Sequence, residues 1–301
     1  MNDEYPLMSA PLAVNWNYSY KCQLNCAHCY SRERNEVELS LADKYKVANN
    51  IVKNKIFTVN IGGGEPVCSE GVFEIIYFLR KNNVDVSLST NGWLIDRETA
   101  EKLAKAKLNQ VSISIDHSDP SLHDKNRGKK DSFQRAICAT RICHELGIKV
   151  IFSTTITSVN YDVLEKIVEL ADKVGADGVD FKRLKTMGNA RNRTDLEIDN
   201  EKKEQLYKNI ICWRKQYKRL KIALVYNEKR VGDIDGGCPC GKVSLCVSSN
   251  GNIYPCVYNN QIILGNAVRD DLGEIWRDSS QLKYMREHYE CMGLMKRKAG
   301  K

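Results

Sequence analysis

The sequence predicts an α/β protein, a partial (β/α)6 barrel followed by a small cysteine-rich C-terminal domain. Short β-rich runs alternate with helical patterns from residue 13 to about 185, and such alternation builds parallel strands joined by crossover helices. The first of these runs leads directly into a loop carrying Cys22, Cys26 and Cys29. Beyond residue 232 the pattern stops, and residues 232–265 are rich in Gly, Cys and turn signals.

The expected strands are Ala13–Tyr18, Phe57–Ile61, Val84–Ser89, Gln110–Ile115, Lys149–Thr157 and Gly178–Leu184. Between them, apolar residues at helical spacing mark Ser40–Asn54, Glu70–Asn83, Asp96–Ala106, Ser132–Leu146 and Asp162–Val174, the pattern of helices that bury one face. Ser40 and Asp162 stand where N-caps belong, and Gly147 and Gly175 where helices stop. Six strand–helix units are fewer than the eight of a closed barrel, so an open sheet is expected, with chemistry at the carboxyl ends of the strands. Five unusual segments fall on that rim: the cysteine loop, Gly62-Gly-Gly-Glu-Pro66, Thr90-Asn-Gly92, Asp116 and Lys185-Thr-Met-Gly188.

A polar stretch, Gly188–Asp195, leads into a helical segment near Asn200–Lys218. A hairpin follows, Val243–Ser248 with Ile253–Tyr258, turning at Asn250-Gly251. Helices near Leu272–Arg277 and Gln281–Glu290 end at Cys291. The domains expected are a barrel over 1–190, a helical linker over 191–231 and the cysteine-rich domain over 232–301.

With 301 residues, 42% of them hydrophobic, the chain holds one large domain and an appendage. The 46 basic and 38 acidic residues give a net charge of +8. They lie in mixed runs such as Glu201-Lys-Lys-Glu204, which mark solvated helix faces. No aromatic-interleaved basic patch accompanies them, so nucleic acid is not an expected partner. Twelve cysteines suggest disulfides, yet disulfide frameworks belong to small secreted domains behind a signal peptide, and no such signal opens this sequence. No apolar run approaches the roughly 20 residues that span a bilayer. The expectation is a cytoplasmic protein with no membrane partner and with thiols reduced or bound to iron.

Three thiolates on one short loop suit three irons of a cubane cluster and leave one iron without a protein ligand. Zinc is the rival, but structural zinc gathers four ligands from two separated pairs. Here the triplet stands alone, and His28, adjacent to Cys29, points away from a shared centre and is read as a packing or supporting residue. The glycine run is not a phosphate loop, because three adjacent glycines followed by Glu-Pro reproduce neither glycine spacing and the Glu would repel phosphate.

Together these motifs resemble the radical S-adenosylmethionine (SAM) enzymes over residues 13 to about 190: Cys22-x-x-x-Cys26-x-x-Cys29 with Tyr30, Gly63-Gly-Glu-Pro66, Ser89-Thr-Asn-Gly92, Ser112-Ile-Ser-Ile-Asp116, and Arg127-Gly128 ahead of Ser132-Phe133. The resemblance implies a [4Fe-4S] cluster held by the three cysteines, whose open iron binds SAM and whose electron releases a 5′-deoxyadenosyl radical. It also implies that Gly63 and Gly64 approach SAM closely, with Glu65 facing its amino group. By the same resemblance Tyr30 belongs to the cofactor site, Ser89 and Asn91 face the ribose, and Ser114 and Arg127 the methionine carboxylate, for which a guanidinium offers two parallel donors. Asp116 touches SAM or substrate, or caps the next segment.

The C-terminal domain is similar to the SPASM/twitch extension, through Cys238-x-x-Gly241, Gly251-Asn-Ile-Tyr-Pro-Cys256, Leu264-Gly-Asn266 and Leu272-Gly-Glu-Ile-Trp276. The resemblance implies one auxiliary [4Fe-4S] cluster, the shorter twitch arrangement, on Cys238, Cys256 and Cys291. Its fourth ligand stays open. Cys240 is the nearest candidate and Cys246 another; if neither ligates, the open iron is able to bind substrate, and a spare cysteine is a possible hydrogen-atom donor. Cys138, Cys143 and Cys212 are read as small buried hydrophobes, and Cys68 as helix packing.

The function implied is a radical SAM enzyme, an oxidoreductase or maturase acting on a ribosomally made peptide by epimerisation, crosslinking or oxidation. The alternatives are a small-molecule radical SAM dehydrogenase and a non-catalytic iron–sulfur electron carrier or sensor. A flavodoxin- or ferredoxin-type reductant is the expected partner. Residues 1–12 are too few for a leader-binding domain, so leader recognition is expected to fall to the barrel itself or to a separate leader-binding protein.

Overall fold

The computed structural model describes residues 8–225, 239–259 and 261–288. Among them, ten strands form a single sheet in the order β10-β9-β8-β1-β2-β3-β4-β5-β6-β7. The six expected strands are β1 (Ala13–Ser19), β2 (Thr58–Gly63), β3 (Asp85–Thr90), β4 (Gln110–Ser114), β5 (Lys149–Ile156) and β6 (Gly178–Arg183), parallel and adjacent in chain order.

Their two faces differ sharply. Val59, Ile61, Val86, Leu88, Val111, Ile113, Phe152 and Phe181 are buried in the core beneath helices α1 (Leu41–Lys53), α2 (Val72–Lys81), α3 (Arg97–Lys105), α5 (Ser132–Glu145) and α6 (Leu164–Val174). Ile51, Ile75, Leu79, Leu103 and Ile167 are the helical side of that core, each contributing roughly 1.5–3 kcal/mol of burial. The intervening strand positions are polar: Asn15 and Asn17, Asn60, Ser87 and Ser89, Ser112 and Ser114, Ser153 and Thr155, Lys182. A parallel sheet buried on both faces reads as a continuous apolar run. Here the inner face is polar because it borders the cavity described below.

Ser40 caps α1 as expected, accepting from the amide of Asp43, and Gly175 closes α6 in a left-handed conformation. Asp162 does not cap α6, which begins without a side-chain cap. Asn160 organises that entry instead, its Oδ1 accepting from the amide of Thr157. Between β4 and α5 lies a helix absent from the sequence reading, α4 (Pro120–Arg127), capped by the Asp119 carboxylate, which accepts from the amides of Ser121 and Leu122. α2 starts at Val72, after a 3-10 turn over Pro66–Cys68. Cys68 is exposed in that turn and does not pack a helix; Cys138 and Cys212 are exposed too, and Cys143 is buried.

The described part of the expected linker, residues 191–225, carries α7 (Asn200–Gln216) and β7 (Lys221–Val225), which pairs in parallel with β6. At the opposite edge the C-terminal hairpin, β8 (Ser244–Val247) and β9 (Asn252–Tyr254), joins the same sheet, with β8 parallel to β1 and Asn15 opposite Cys246. Gly251 turns the hairpin and β10 (Gly265–Asn266) extends it. Helices α8 (Leu272–Asp278) and α9 (Ser280–His288) follow. Cys238 and Cys291 lie outside the described residues.

Candidate active site

The cysteine loop is clamped by three other strand-end loops. From the β2 side, the amides of Gly64 and Glu65 donate to the carbonyls of Ser19 and Lys21 at 2.6 and 2.7 Å. From the α4 side, the amides of Asn25 and Ala27 donate to the carbonyls of Arg127 and Asn126 at 3.2 and 2.9 Å. From the β6 side, the Asn189 amide donates to the Cys29 carbonyl at 2.9 Å and its side chain to the Cys26 carbonyl at 2.8 Å. Backbone approaches this close need glycine. A Cβ on Gly64 would lie 2.4 Å from the Lys21 carbonyl oxygen, and one on Gly188 2.2 Å from that of Cys29.

These clamps turn Cys22, Cys26 and Cys29 toward one cavity of about 210 Å³ on the inner face of the sheet. The Asn91 side-chain amide donates to Cys22 Sγ at 3.6 Å and Arg127 Nη1 to Cys26 Sγ at 3.7 Å, while Cys29 Sγ lies 3.5 Å from Ser31 Oγ. Such donors stabilise thiolate ligands and tune a cluster. Burial pushes the Cys26 thiol up to about 11, against the pull of Arg127, so binding iron releases its proton. Three thiols of one loop facing one cavity suit a cubane, which spreads its thiolates over separate irons.

Beneath the loop sits a buried charge cluster. The Asp116 carboxylate forms an ion pair with Arg127 Nε at 2.8 Å. It also accepts from the Asn126 side chain at 3.0 Å and from the Thr155 amide at 3.0 Å. Burial opposes its ionisation, yet the charges of Arg127, His28 and His123 outweigh it and hold the carboxyl below the usual range. His28 stands with Nε2 3.5 Å from Asp116 Oδ2. Burial lowers its pKa against the pull of Asp116, and its ring packs as a support to this cluster.

Tyr30, Gly63, Gly64, Ser89, Asn91, Ser114 and Arg127 all line the cavity with the three cysteines. Glu65 and Asp116 are not among the lining residues, and their side-chain contacts run into the wall behind it. Glu65 is fully buried, and its carboxylate accepts from Thr90 Oγ1 at 2.8 and 2.9 Å, the Asn91 amide at 2.8 Å and the Val67 amide at 3.3 Å. It ties the end of β2 to the end of β3 and so presents the glycines and Asn91 to the cavity. Asp116 acts through Arg127.

Cys240 and Cys246 are buried and Cys256 half-buried, and none of the three lines the cavity. Cys246 lies just behind it, accepting from the Asn17 side chain at 3.6 Å. Asn17 in turn donates to Tyr20 Oη at 3.1 Å and accepts from Tyr30 Oη at 3.4 Å. Cys256 Sγ accepts from the Tyr258 amide at 3.3 Å, and the Tyr258 ring packs edge-on to Tyr30 with centroids 5.1 Å apart. One network therefore joins the cysteine loop to the C-terminal hairpin.

The sequence reading missed Asn17, Asn60, Thr155 and Lys182 as cavity residues. All four sit in strands where polar residues alternate with apolar ones, a signal sufficient to find them.

Comparison with known proteins agrees with this geometry. The model of the SPASM domain, an iron–sulfur cluster-binding domain, matches residues 238–297. The mycofactocin maturase MftC of Mycolicibacterium smegmatis is 29% identical over 293 residues, 93% of this chain and 74% of that protein. An AdoMet-dependent heme synthase of Methanosarcina barkeri is 26% identical over 310 residues, 95% of this chain and 88% of that one. Among solved structures, Streptococcus suis SuiB bound to S-adenosylmethionine shares the fold, with a TM-score of 0.78 at 22% identity over 92% of this chain and 68% of that chain. The model of the radical SAM superfamily matches residues 16–174, just over half of the sequence, and with that match the chain belongs to the radical SAM superfamily.

Proposed function

We propose that this radical SAM enzyme modifies a ribosomally made peptide, taking a hydrogen atom from one of its residues in an epimerisation, crosslinking or oxidation. The observation that carries the reading is one cavity that collects three thiols, a glycine wall and polar residues from six successive strands. The bound cluster and SAM would supply the 5′-deoxyadenosyl radical. The chain's own work is placement: Gly63 and Gly64 admit SAM at backbone distance, Ser89 and Asn91 serve its ribose, and Ser114 and Arg127 its carboxylate, with Asp116 and His28 holding Arg127 in register.

The peptide assignment draws on relatives: MftC, a maturase, the subtilosin biosynthesis protein AlbA of Bacillus subtilis at 25% identity over 279 residues, and SuiB, solved with its precursor peptide SuiA. Similarity to heme synthases favours a second reading, a small-molecule substrate. In either case we assign one auxiliary cluster to Cys238, Cys256 and Cys291. Cys240 or Cys246 is its fourth ligand or a hydrogen-atom donor. A flavodoxin or ferredoxin is the electron source, and the leader of the peptide is recognised by the barrel itself or by a separate leader-binding protein.

The test has two stages. Anaerobically reconstituted protein with dithionite and SAM should form 5′-deoxyadenosine; its absence with every reductant tried would leave a non-catalytic carrier or sensor. Co-expression with a short peptide encoded beside the gene should then shift the peptide's mass, and an unchanged mass together with turnover of a small molecule would favour the second reading.

A further inference from the structure

The cavity is lined by five cationic side chains, Arg32, Arg127, Lys182, Arg183 and Lys185, and among the described residues by no carboxylate. Not all of this charge is uncommitted. Arg127 is paired with Asp116, Arg32 donates to the Leu24 carbonyl at 3.1 Å, Arg183 meets the Tyr207 hydroxyl, and Lys185 Nζ stands 5.5 Å from the centroid of the Tyr258 ring. The resident cofactors do not absorb the remainder. Three thiolates on the iron–sulfur core leave about one negative charge, which the sulfonium cation of SAM offsets.

Lys182 is the outlier. It sits at an inward position of β6, between the core residue Phe181 and the cavity residue Arg183, and has no ion pair or hydrogen bond among the described residues. The nearest carboxylate on its own strand, Asp180, lies two residues back, and Asp116 is spent on Arg127. Burial lowers the Lys182 pKa against the pull of Asp180 and Asp116, and the side chain is half-buried at the cavity wall with no ion pair among the described residues. An ammonium group partly withdrawn from water loses hydration, and in a ligand cavity that loss is recovered when a ligand brings the opposite charge.

We propose that the substrate presents a carboxylate to Lys182 at the carboxyl end of β6, and that Arg183 and Lys185 extend the same cationic wall, so that the peptide segment entering the cavity is acidic. The proposal rests on the peptide reading above and narrows it. A positive wall also steers an anionic segment inward before contact.

The test uses reconstituted, SAM-loaded protein and short Ala-rich peptides carrying one internal Glu or Gln, each with a free or an amidated C-terminus. Equilibrium titration should show that each added carboxylate tightens binding about tenfold, the ratio for ~1.4 kcal/mol. The gain should vanish in Lys182→Met and survive in Lys182→Arg, with the affinity for SAM unchanged in both. Equal or undetectable binding of Glu and Gln peptides to the unmodified protein overturns the proposal without any variant having to fold. So does a loss of SAM affinity in Lys182→Met, which would give the cation to SAM's own carboxylate. Inorganic phosphate competing better than malonate would overturn it as well, by making the site a phosphate receptor. Formation of 5′-deoxyadenosine by the unmodified protein is scored separately: if it persists while carboxylate preference is absent, only this inference falls, and if it is absent, the reading beneath falls too.

Discussion

Replacing Gly188 by Ala drives a methyl group into the backbone that carries the third cysteine. The new Cβ would stand 2.2 Å from the Cys29 carbonyl oxygen and 2.8 Å from the carbonyl carbon and oxygen of Tyr30, where ordinary contact begins at 3.4 Å. The two loops must therefore separate by about 1 Å, and overpacking of this kind costs roughly 1–3 kcal/mol. Gly188 also holds φ at +55°, and alanine in that region costs about 1–2 kcal/mol more. The expected loss is roughly 2–5 kcal/mol from both sources. Gly147→Ala is a matched control, since Gly147 has φ +72° but nothing within 4 Å of its hypothetical Cβ. It should lose only the conformational share, about 1 kcal/mol. Denaturant titration of the apo-proteins measures the stabilities, and iron per chain after anaerobic reconstitution reports the cysteine loop. Gly188→Ala should lose about half its iron, the share of the cluster on Cys22, Cys26 and Cys29, while Gly147→Ala keeps all of it. Full iron and undiminished SAM cleavage in Gly188→Ala, or equal iron loss in both variants, would refute the clamp.

Two further outcomes follow from buried charges. Asp116→Asn keeps the shape but strips Arg127 of its counter-ion, and should destabilise the apo-protein by about 3–5 kcal/mol, read by urea titration; a loss under about 1 kcal/mol would mean that the pair is not shielded from water. Burial raises the Glu65 carboxyl to about 7, against hydrogen bonds from Asn91, Thr90 and Val67. Because its folded pKa exceeds the unfolded one, the fold keeps the proton longer than the unfolded chain, so stability contributed below about pH 4.5 is lost as pH rises through 7, by about 3 kcal/mol. Glu65→Gln should flatten that slope in pH-dependent unfolding of the apo-protein, and an unchanged slope would assign it to another group.

Much of the barrel was legible because its signals are local. Each of β1 to β6 shows as an apolar/polar alternation, and α1 and α6 show as amphipathic stretches ended by turn residues. α4 was harder, since Pro120–Arg127 is short and largely polar; its one local sign is Asp119 before Pro120, an N-cap followed by proline at the first helical position. β7 was hidden by the run of basic residues before it. Exposure of Cys68, Cys138 and Cys212 was not legible either, because a cysteine carries the same letter on either face of a helix.

The chemistry is written locally: Cys22, Cys26 and Cys29 at their spacing, the glycine run and the order of the rim motifs are short-range patterns that few other functions use. Tertiary structure decided how those residues are deployed. Glu65 became a tie between β2 and β3, Asp116 the counter-ion of Arg127, and the hairpin carrying Cys246 a continuation of the barrel sheet beside β1. Each of these depends on which distant segment supplies the opposing charge, donor or strand edge. Such partners are chosen by the packing of the whole chain, over separations at which local spacing carries no information.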